Sequence, residues 1–239
     1  MNLTAPNPLH RRQAFTWIEL LLVVVVIVFL AGMFLPARSW PKGPGATRIK
    51  CVNNLKNLGL AVRIFSTDND GMFPWQVPIA KGGSMEEIGD TNRIWRHFQV
   101  LSNELSTPRI LQCPKDPRLS KLNTSGMTFN TVTNSAGLRF GHNDHVSYFL
   151  NLSASEEEPE SILAGDRNLT RNHTSIRGRI TPGTNDVFDF TTSGHDGGVG
   201  NLLFGDGSVQ QPSRLSASRF FADAFAVRGT NPPPILLIP

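Results

Sequence analysis

Cysteine is scarce in this sequence: Cys51 and Cys113 are the only two in 239 residues, so at most one intrachain disulfide can form. Runs of lysine or arginine are missing as well. The formal charge is +4 and the sequence pI about 9.4, yet the basic residues are scattered and no stretch could track a phosphate backbone, which argues against nucleic acid as a partner. A hydrophobic content of 39% excludes disorder throughout, and the length suits one sizeable domain with an accessory element. Polar side chains are wholly missing from residues 20–35 (LLLVVVVIVFLAGMFL), whereas the remainder is polar and rich in glycine and proline.

That run governs the reading of the N-terminus. Phe15 to Leu35 supplies 21 positions interrupted only by Thr16 and Glu19, and about 20 apolar residues suffice to cross a bilayer as helix. Behind the short basic head of Arg11 and Arg12, three fates are open: a cleaved secretory signal, a twin-arginine signal, or a retained anchor. A cleaved signal usually has a short apolar stretch closed by a small-x-small site, but here the run is long and Pro36, Arg38, Trp40 and Pro41 follow it. The twin-arginine reading rests on one arginine pair. Glu19 is the informative residue, because an acid inside a membrane helix costs about 2.5–3.5 kcal/mol near the centre and less near an end. It either sits hydrated at the membrane boundary or is paired with a cation.

The stretch Arg11-Arg12-Gln13-Ala14-Phe15-Thr16-Trp17-Ile18-Glu19-Leu20-Leu21 resembles the class III signal of type IV prepilins and of the pseudopilins of type II secretion. In that family a short basic leader ends in a small residue and is followed by Phe-Thr-Leu-Ile-Glu and a long hydrophobic helix. Ala14 stands where glycine is usual, and Trp17 where leucine is usual; Pro36 falls where these helices commonly carry a proline. The resemblance implies a leader over 1–14 removed by a prepilin peptidase after Ala14. It also implies an N-methylated Phe15 and an assembly role for Glu19, four residues from the new α-amino group. In a filament the amine of one subunit can pair with Glu19 of its neighbour, which relieves an otherwise costly buried carboxylate. Loss of the leader removes two arginines and no acid, so the side-chain charge falls from +4 to +2. Basic residues give no orientation, since Arg38, Lys42, Arg48 and Lys50 flank the far end of the run. The resemblance supplies it: a single pass through the bacterial inner membrane, with the C-terminal head in the periplasm.

Beyond the transmembrane helix expected over 15–35, residues 36–45 (PARSWPKGPG) predict a Pro/Gly neck. Cys51, Val52, Leu55, Leu58, Val62 and Phe65 recur at spacings of three and four and predict an amphipathic helix over 46–68. Residues 69–239 form the expected globular head. Within it, 69–145 predicts loops with one or two short helices. Strands are expected at 146–150, 161–164, 200–204 and 208–210, a helix at 214–227, and an extended apolar tail at 232–239. Gly205-Asp206-Gly207 suits a hairpin turn. The expected fold class is α+β, with a long N-terminal helix packed on a small antiparallel sheet, as in pilins.

Three segments could carry chemistry. Gly165-Asp166-Arg167, Gly194-His195-Asp196-Gly197-Gly198 and Gly205-Asp206-Gly207 set acids and a histidine among glycines, as tight turns or as the parts of a metal-dependent hydrolase. No regular ligand motif joins them, so no metal ligand is assigned. The stretch from His195 to Gly207 also resembles the His, nine residues, Asp-Gly segment near the C-terminus of many proteins with the prepilin leader; here ten residues separate His195 from Asp206. Asp68-Asn69-Asp70-Gly71 could open a calcium loop, but the twelfth position is Ile79 rather than glutamate. Some major pseudopilins bind calcium in a C-terminal loop; no ligand set is assigned for it in this chain, and calcium stays open as a cofactor. Cys51 and Cys113 are either a disulfide, as an oxidising periplasm would favour, or two buried thiols.

The leading expectation is therefore a structural subunit without enzymatic activity or cofactor. It would polymerise with itself or other pseudopilins on a secretion-system assembly platform. An anchored envelope hydrolase using Asp166, His195 and Asp206, and an anchored carbohydrate- or ligand-binding module, are the alternatives.

Overall fold

The computed structural model describes residues 15–34, 44–122, 124, 126–129, 139–183, 185–195, 197–226 and 234–239. The leader, Ala14 included, Leu35 of the expected transmembrane helix and residues 36–43 of the expected neck lie outside them. The chain divides into two compact units, residues 1–43 and 44–239.

The first unit contributes helix α1 (Trp17–Phe34). It begins at a Thr-x-x-Glu pattern: Glu19 Oε2 accepts hydrogen bonds from the Thr16 backbone N–H at 3.3 Å and from Thr16 Oγ1 at 3.2 Å. This is the carboxylate half of a capping box, which the apolar run conceals in the sequence. Every large apolar side chain described in α1 is exposed, from Trp17 at 81% to Val23 at 43%. Among the described residues no helix is long and apolar enough to cross a membrane. The 18 residues of α1 rise about 27 Å, against about 30 Å of bilayer core.

The second unit opens with helix α2 (Pro44–Asp68). It starts two residues before the expected boundary because Pro44 and Gly45, read as neck, form its first turn, where a proline loses no hydrogen bond. One face of α2 is fully buried: Cys51, Leu55, Leu58, Val62 and Phe65 are each at most 7% exposed. Asp70 (φ 54°) and Gly71 (φ 78°) end the helix in left-handed turns, and Gly71 N–H returns to Ser66 C=O at 2.9 Å. The Asp68–Gly71 stretch thus closes a helix. Two short helices follow, α3 (Trp95–Gln99) and α4 (Ser102–Leu105), among several single 3-10 turns.

Among the described residues nine strands form two antiparallel sheets: β1 (Tyr148–Asn151), β2 (Ile162–Asp166), β3 (Leu169–Arg171), β4 (Thr174–Ser175), β5 (Gly178–Ile180), β6 (Phe188–Phe190), β7 (Leu202–Phe204), β8 (Val209–Gln210) and β9 (Leu236–Ile238). The larger sheet has the order β5-β9-β1-β2-β7-β8 and the smaller β4-β3-β6. The β7–β8 hairpin around Asp206-Gly207 pairs Leu202 with Gln210 and Leu203 with Val209. The stretch expected as an extended tail instead lies inside the larger sheet, with Leu237 opposite both Leu150 and Arg179.

Strand alternation splits the core between the two faces of the large sheet. Leu150, Leu203 and Leu237 belong with the buried face of α2. Phe149, Leu202, Phe204, Leu236 and Ile238 belong with Phe188, Phe190 and helix α5 (Arg214–Ala226), which contributes Ala217, Phe221 and Ala224. The second unit is therefore α+β, with α2 on one face of an antiparallel sheet and α5 with β6 on the other.

Candidate functional site

A cluster of buried polar side chains lies where β2 ends beside β7, close to Cys51 of α2. Asp166 is the last residue of β2. Gly197 (φ 83°) and Gly198 (φ 67°) turn the chain back after His195, and an isolated antiparallel bridge joins His195 to Val199. That turn brings the imidazole over the end of β2. His195 Nε2 stands 3.2 Å from Asp166 Oδ2, 3.1 Å from Asn201 Nδ2 and 3.5 Å from Cys113 Sγ. Asn201, just ahead of β7, donates to Asp166 Oδ2 from its backbone N–H at 2.8 Å and from its side chain at 2.6 Å. Gln211 Nε2 donates to the Asn201 carbonyl oxygen at 2.6 Å and so fixes the amide's orientation. The other oxygen of Asp166, Oδ1, is buried with no hydrogen-bond partner among the described residues.

Cys113 is joined to Cys51 of α2 in a disulfide, with Cα atoms 5.1 Å apart. A second tie runs beside it: Asn54 Nδ2, one turn further along α2, donates to Gln112 C=O at 2.9 Å. Helix and loop are therefore held together by a covalent and a polar link.

Next to this cluster is an ion network that the sequence did not advertise. Asp116 Oδ2 receives Arg118 Nη2 at 2.9 Å, Arg167 Nε at 3.1 Å and Ser147 Oγ at 2.9 Å. Burial alone would raise the pKa of Asp116, but the hydrogen bond and charge of Arg118 and the charge of Arg167 outweigh it and hold the carboxyl below its ordinary value of 3.8. Arg118 also reaches Val146 C=O at 2.6 Å and Asp144 at 3.0 Å. Arg167 reaches Pro239 C=O at 3.3 Å, tying the end of β2 to the residue after β9. Burial and the nearby carboxylates of Asp166 and Asp116 push the Tyr148 phenol well above its usual value, so it stays neutral. A cavity of about 180 Å³ opens between the cluster and the network, lined by Asp116, Ser147, Asp166, Arg167, Asn168 and His195 among others.

Of the residues singled out in the sequence, Asp166 and His195 come together, and both cysteines join them. Asp206 does not. It occupies the exposed turn of the β7–β8 hairpin, where its Oδ1 accepts from Ser208 N–H at 2.7 Å and its backbone C=O from Arg63 Nη1 of α2 at 3.1 Å. Asp166 and the Asp206 turn lie at opposite ends of the five-residue strand β2, about 16 Å in length. The hydrolase site of Asp166, His195 and Asp206 is thus not assembled: a carboxylate on the far side of a strand cannot share a metal or a proton with the first pair. Instead the His195–Gly207 segment meets α2 where Leu203 packs against Gly59 and where the Arg63 guanidinium donates to Asp206 C=O, and it reaches the disulfide through Cys113 Sγ. Glu19 lies in the other unit. No protein-family model matches the chain, and neither a curated protein nor a solved structure is found that is similar to it.

Proposed function

We propose that this chain is a type IV prepilin-like protein, a membrane-anchored subunit of an envelope filament, and within that class a pseudopilin of type II secretion. The observation that carries the reading is α1. A helix apolar on every side is normally buried in lipid or protein, and this one, with its large side chains exposed, carries a single acid, in its first turn. The membrane part of the proposal rests on the 21-residue apolar run, which as helix would rise about 32 Å. An α2 that packs along an antiparallel sheet agrees with the pilin-like architecture.

In this reading the Thr16 contacts of Glu19 are the resting arrangement of the isolated subunit, and assembly exchanges them for the amine of a neighbouring Phe15. Mass spectrometry of the mature protein should find N-methylated Phe15 at the N-terminus; a start beyond Leu35 would sink the proposal. Glu19→Ala should insert in the membrane normally yet give few or no filaments in a shearing or cross-linking assay, and wild-type filament yield would remove the assembly role. The cavity beside Asp166 supports a second reading, an anchored module that binds a small polar ligand. Saturable ligand binding by a chain that never polymerises would favour it.

A further inference from the structure

His195 Nε2 has a partner in either form: unprotonated it accepts from Asn201 Nδ2 at 3.1 Å, and protonated it donates to Asp166 Oδ2 at 3.2 Å. The adjacent Asp166 Oδ1 is buried without a hydrogen-bond partner among the described residues. The donor atoms of Cys51, Cys113 and His195, all three residues buried, lie within 4.8 Å of one another.

The distances favour one geometry. For a tetrahedral Zn²⁺ with bonds of about 2.0–2.1 Å to nitrogen and oxygen and about 2.3 Å to sulfur, the ligand–ligand edges are about 3.3 Å for N–O, about 3.6 Å for N–S and about 3.8 Å for S–S. His195 Nε2 is already 3.2 Å from Asp166 Oδ2 and 3.5 Å from Cys113 Sγ. What closes the site is the sulfur–sulfur bond, whose opening takes a relative sulfur movement of about 2 Å, and the Asp166 carboxylate, outside the group of three, has to draw towards the sulfurs as the fourth ligand.

We infer that, once the disulfide is reduced, Cys51, Cys113, His195 and Asp166 form a four-ligand zinc site. The reductant is a dithiol: the Cys51–Cys113 bond breaks, an S–S bond forms within the dithiol, and its two hydrogens pass to the protein sulfurs. Each protein thiol then loses one proton as Zn²⁺ binds, so one metal ion releases two protons. Asn201 becomes an outer hydrogen-bond donor that orients the Asp166 ligand. The Asn54 hydrogen bond to Gln112 keeps helix and loop adjacent while the sulfurs are free. Disulfide and metal are thus alternative occupants of the same two sulfurs, and oxidation expels the ion.

The test uses the full chain in detergent, reduced with a phosphine, purified free of metal and titrated with Co²⁺ and then Zn²⁺. The expected result is one equivalent of Co²⁺ bound with sulfur-to-cobalt charge-transfer bands and intense four-coordinate visible bands, all displaced by Zn²⁺. The oxidised chain should show none. His195→Ala and Asp166→Asn should each weaken binding roughly tenfold or more, and Zn²⁺ should restore the thermal midpoint lost on reduction. No thiolate–cobalt bands in the reduced chain would overturn the inference, as would bands and affinity unchanged by His195→Ala. Unchanged affinity in Asp166→Asn would overturn the four-ligand assignment. If reduction alone unfolds the chain, recovery of near-ultraviolet circular dichroism on adding Zn²⁺ supports the site, and failure to recover refutes it.

Discussion

Single residues here do unequal work, and His97 shows how a buried group can set pH dependence without belonging to any site. It is fully buried on α3, with Nδ1 2.7 Å from Ser84 Oγ and Nε2 without a hydrogen-bond partner among the described residues. Burial lowers its pKa from 6.5 to about 4. The unfolded chain therefore takes up a proton at a pH where the folded chain does not. The stabilisation is complete above pH 6.5 and falls as the pH drops towards about 4, a loss of about 3 kcal/mol. Denaturant titrations of the wild type and His97→Gln at pH 7 and pH 4 should differ in their acid loss by about that amount; equal losses would mean that His97 titrates normally. Asp116 works in the same sense at lower pH: its contribution is present above the ordinary carboxylate value of 3.8 and disappears below it. Asp166 and His195 were legible as suspects because polar residues among glycines stand out. Asn201, Ser147 and Asp116 were not, since each acts through a partner far away in the chain, and one-dimensional spacing carries no such information.

At the scale of elements, the contact between α2 and β7 turns on Gly59. A Cβ added there would lie 2.8 Å from Leu203 Cδ1 and 3.3 Å from Cδ2. In an exposed helix, alanine would be favoured over glycine by about 1 kcal/mol; here the crowding of a packed core, about 1–3 kcal/mol, opposes that gain. Gly59→Ala should therefore destabilise by up to about 2 kcal/mol in urea titration, and Leu203→Ala should cost less in that background than in the wild type. A stabilised Gly59→Ala would show that helix and strand separate freely. The helix itself was legible because its apolar residues keep a strict three-and-four spacing, and the β7–β8 hairpin because Asp206-Gly207 offers the turn, with Gly207 at φ 84°. Strands β3, β4 and β5 were missed: Thr170, Arg171, Thr174, Ser175 and Arg179 give 169–180 a polar look. Strand β9 was missed because Pro234 and Pro239 confine it to three residues, too few for alternation to show.

For the whole molecule, the disulfide is the one covalent constraint among the described residues, closing a loop with a sequence separation of 62. On chain-entropy grounds a loop of that length contributes about 4 kcal/mol. Reduction in the presence of a metal chelator should lower the unfolding free energy by an amount of that order, read from urea titrations with and without the reductant. A change below about 1 kcal/mol would mean that the Asn54 tie and the packing of α2 already hold the two segments. The α+β class and the position of α2 against a sheet followed from sequence. The arrangement of strands did not, because the order β5-β9-β1-β2-β7-β8 is fixed by long-range pairing rather than by neighbours in the chain.

That strand order bears on how the head is made. Leu150 pairs with Leu237, so β1 cannot complete its hydrogen bonding until a segment synthesised more than 80 residues later is available. Cys113 meets Cys51 far sooner. In a chain that emerges progressively, α2 and the Cys113 loop can be stapled while the sheet still has a gap between β1 and β5, with Phe149 and Leu150 waiting for their cover. Non-local closure of this kind is slow, and an open strand edge invites pairing with the wrong chain. Protecting the head from its neighbours is thus a matter of timing: the interval between the early cross-link and the arrival of residues 236–238 is when aggregation competes with folding.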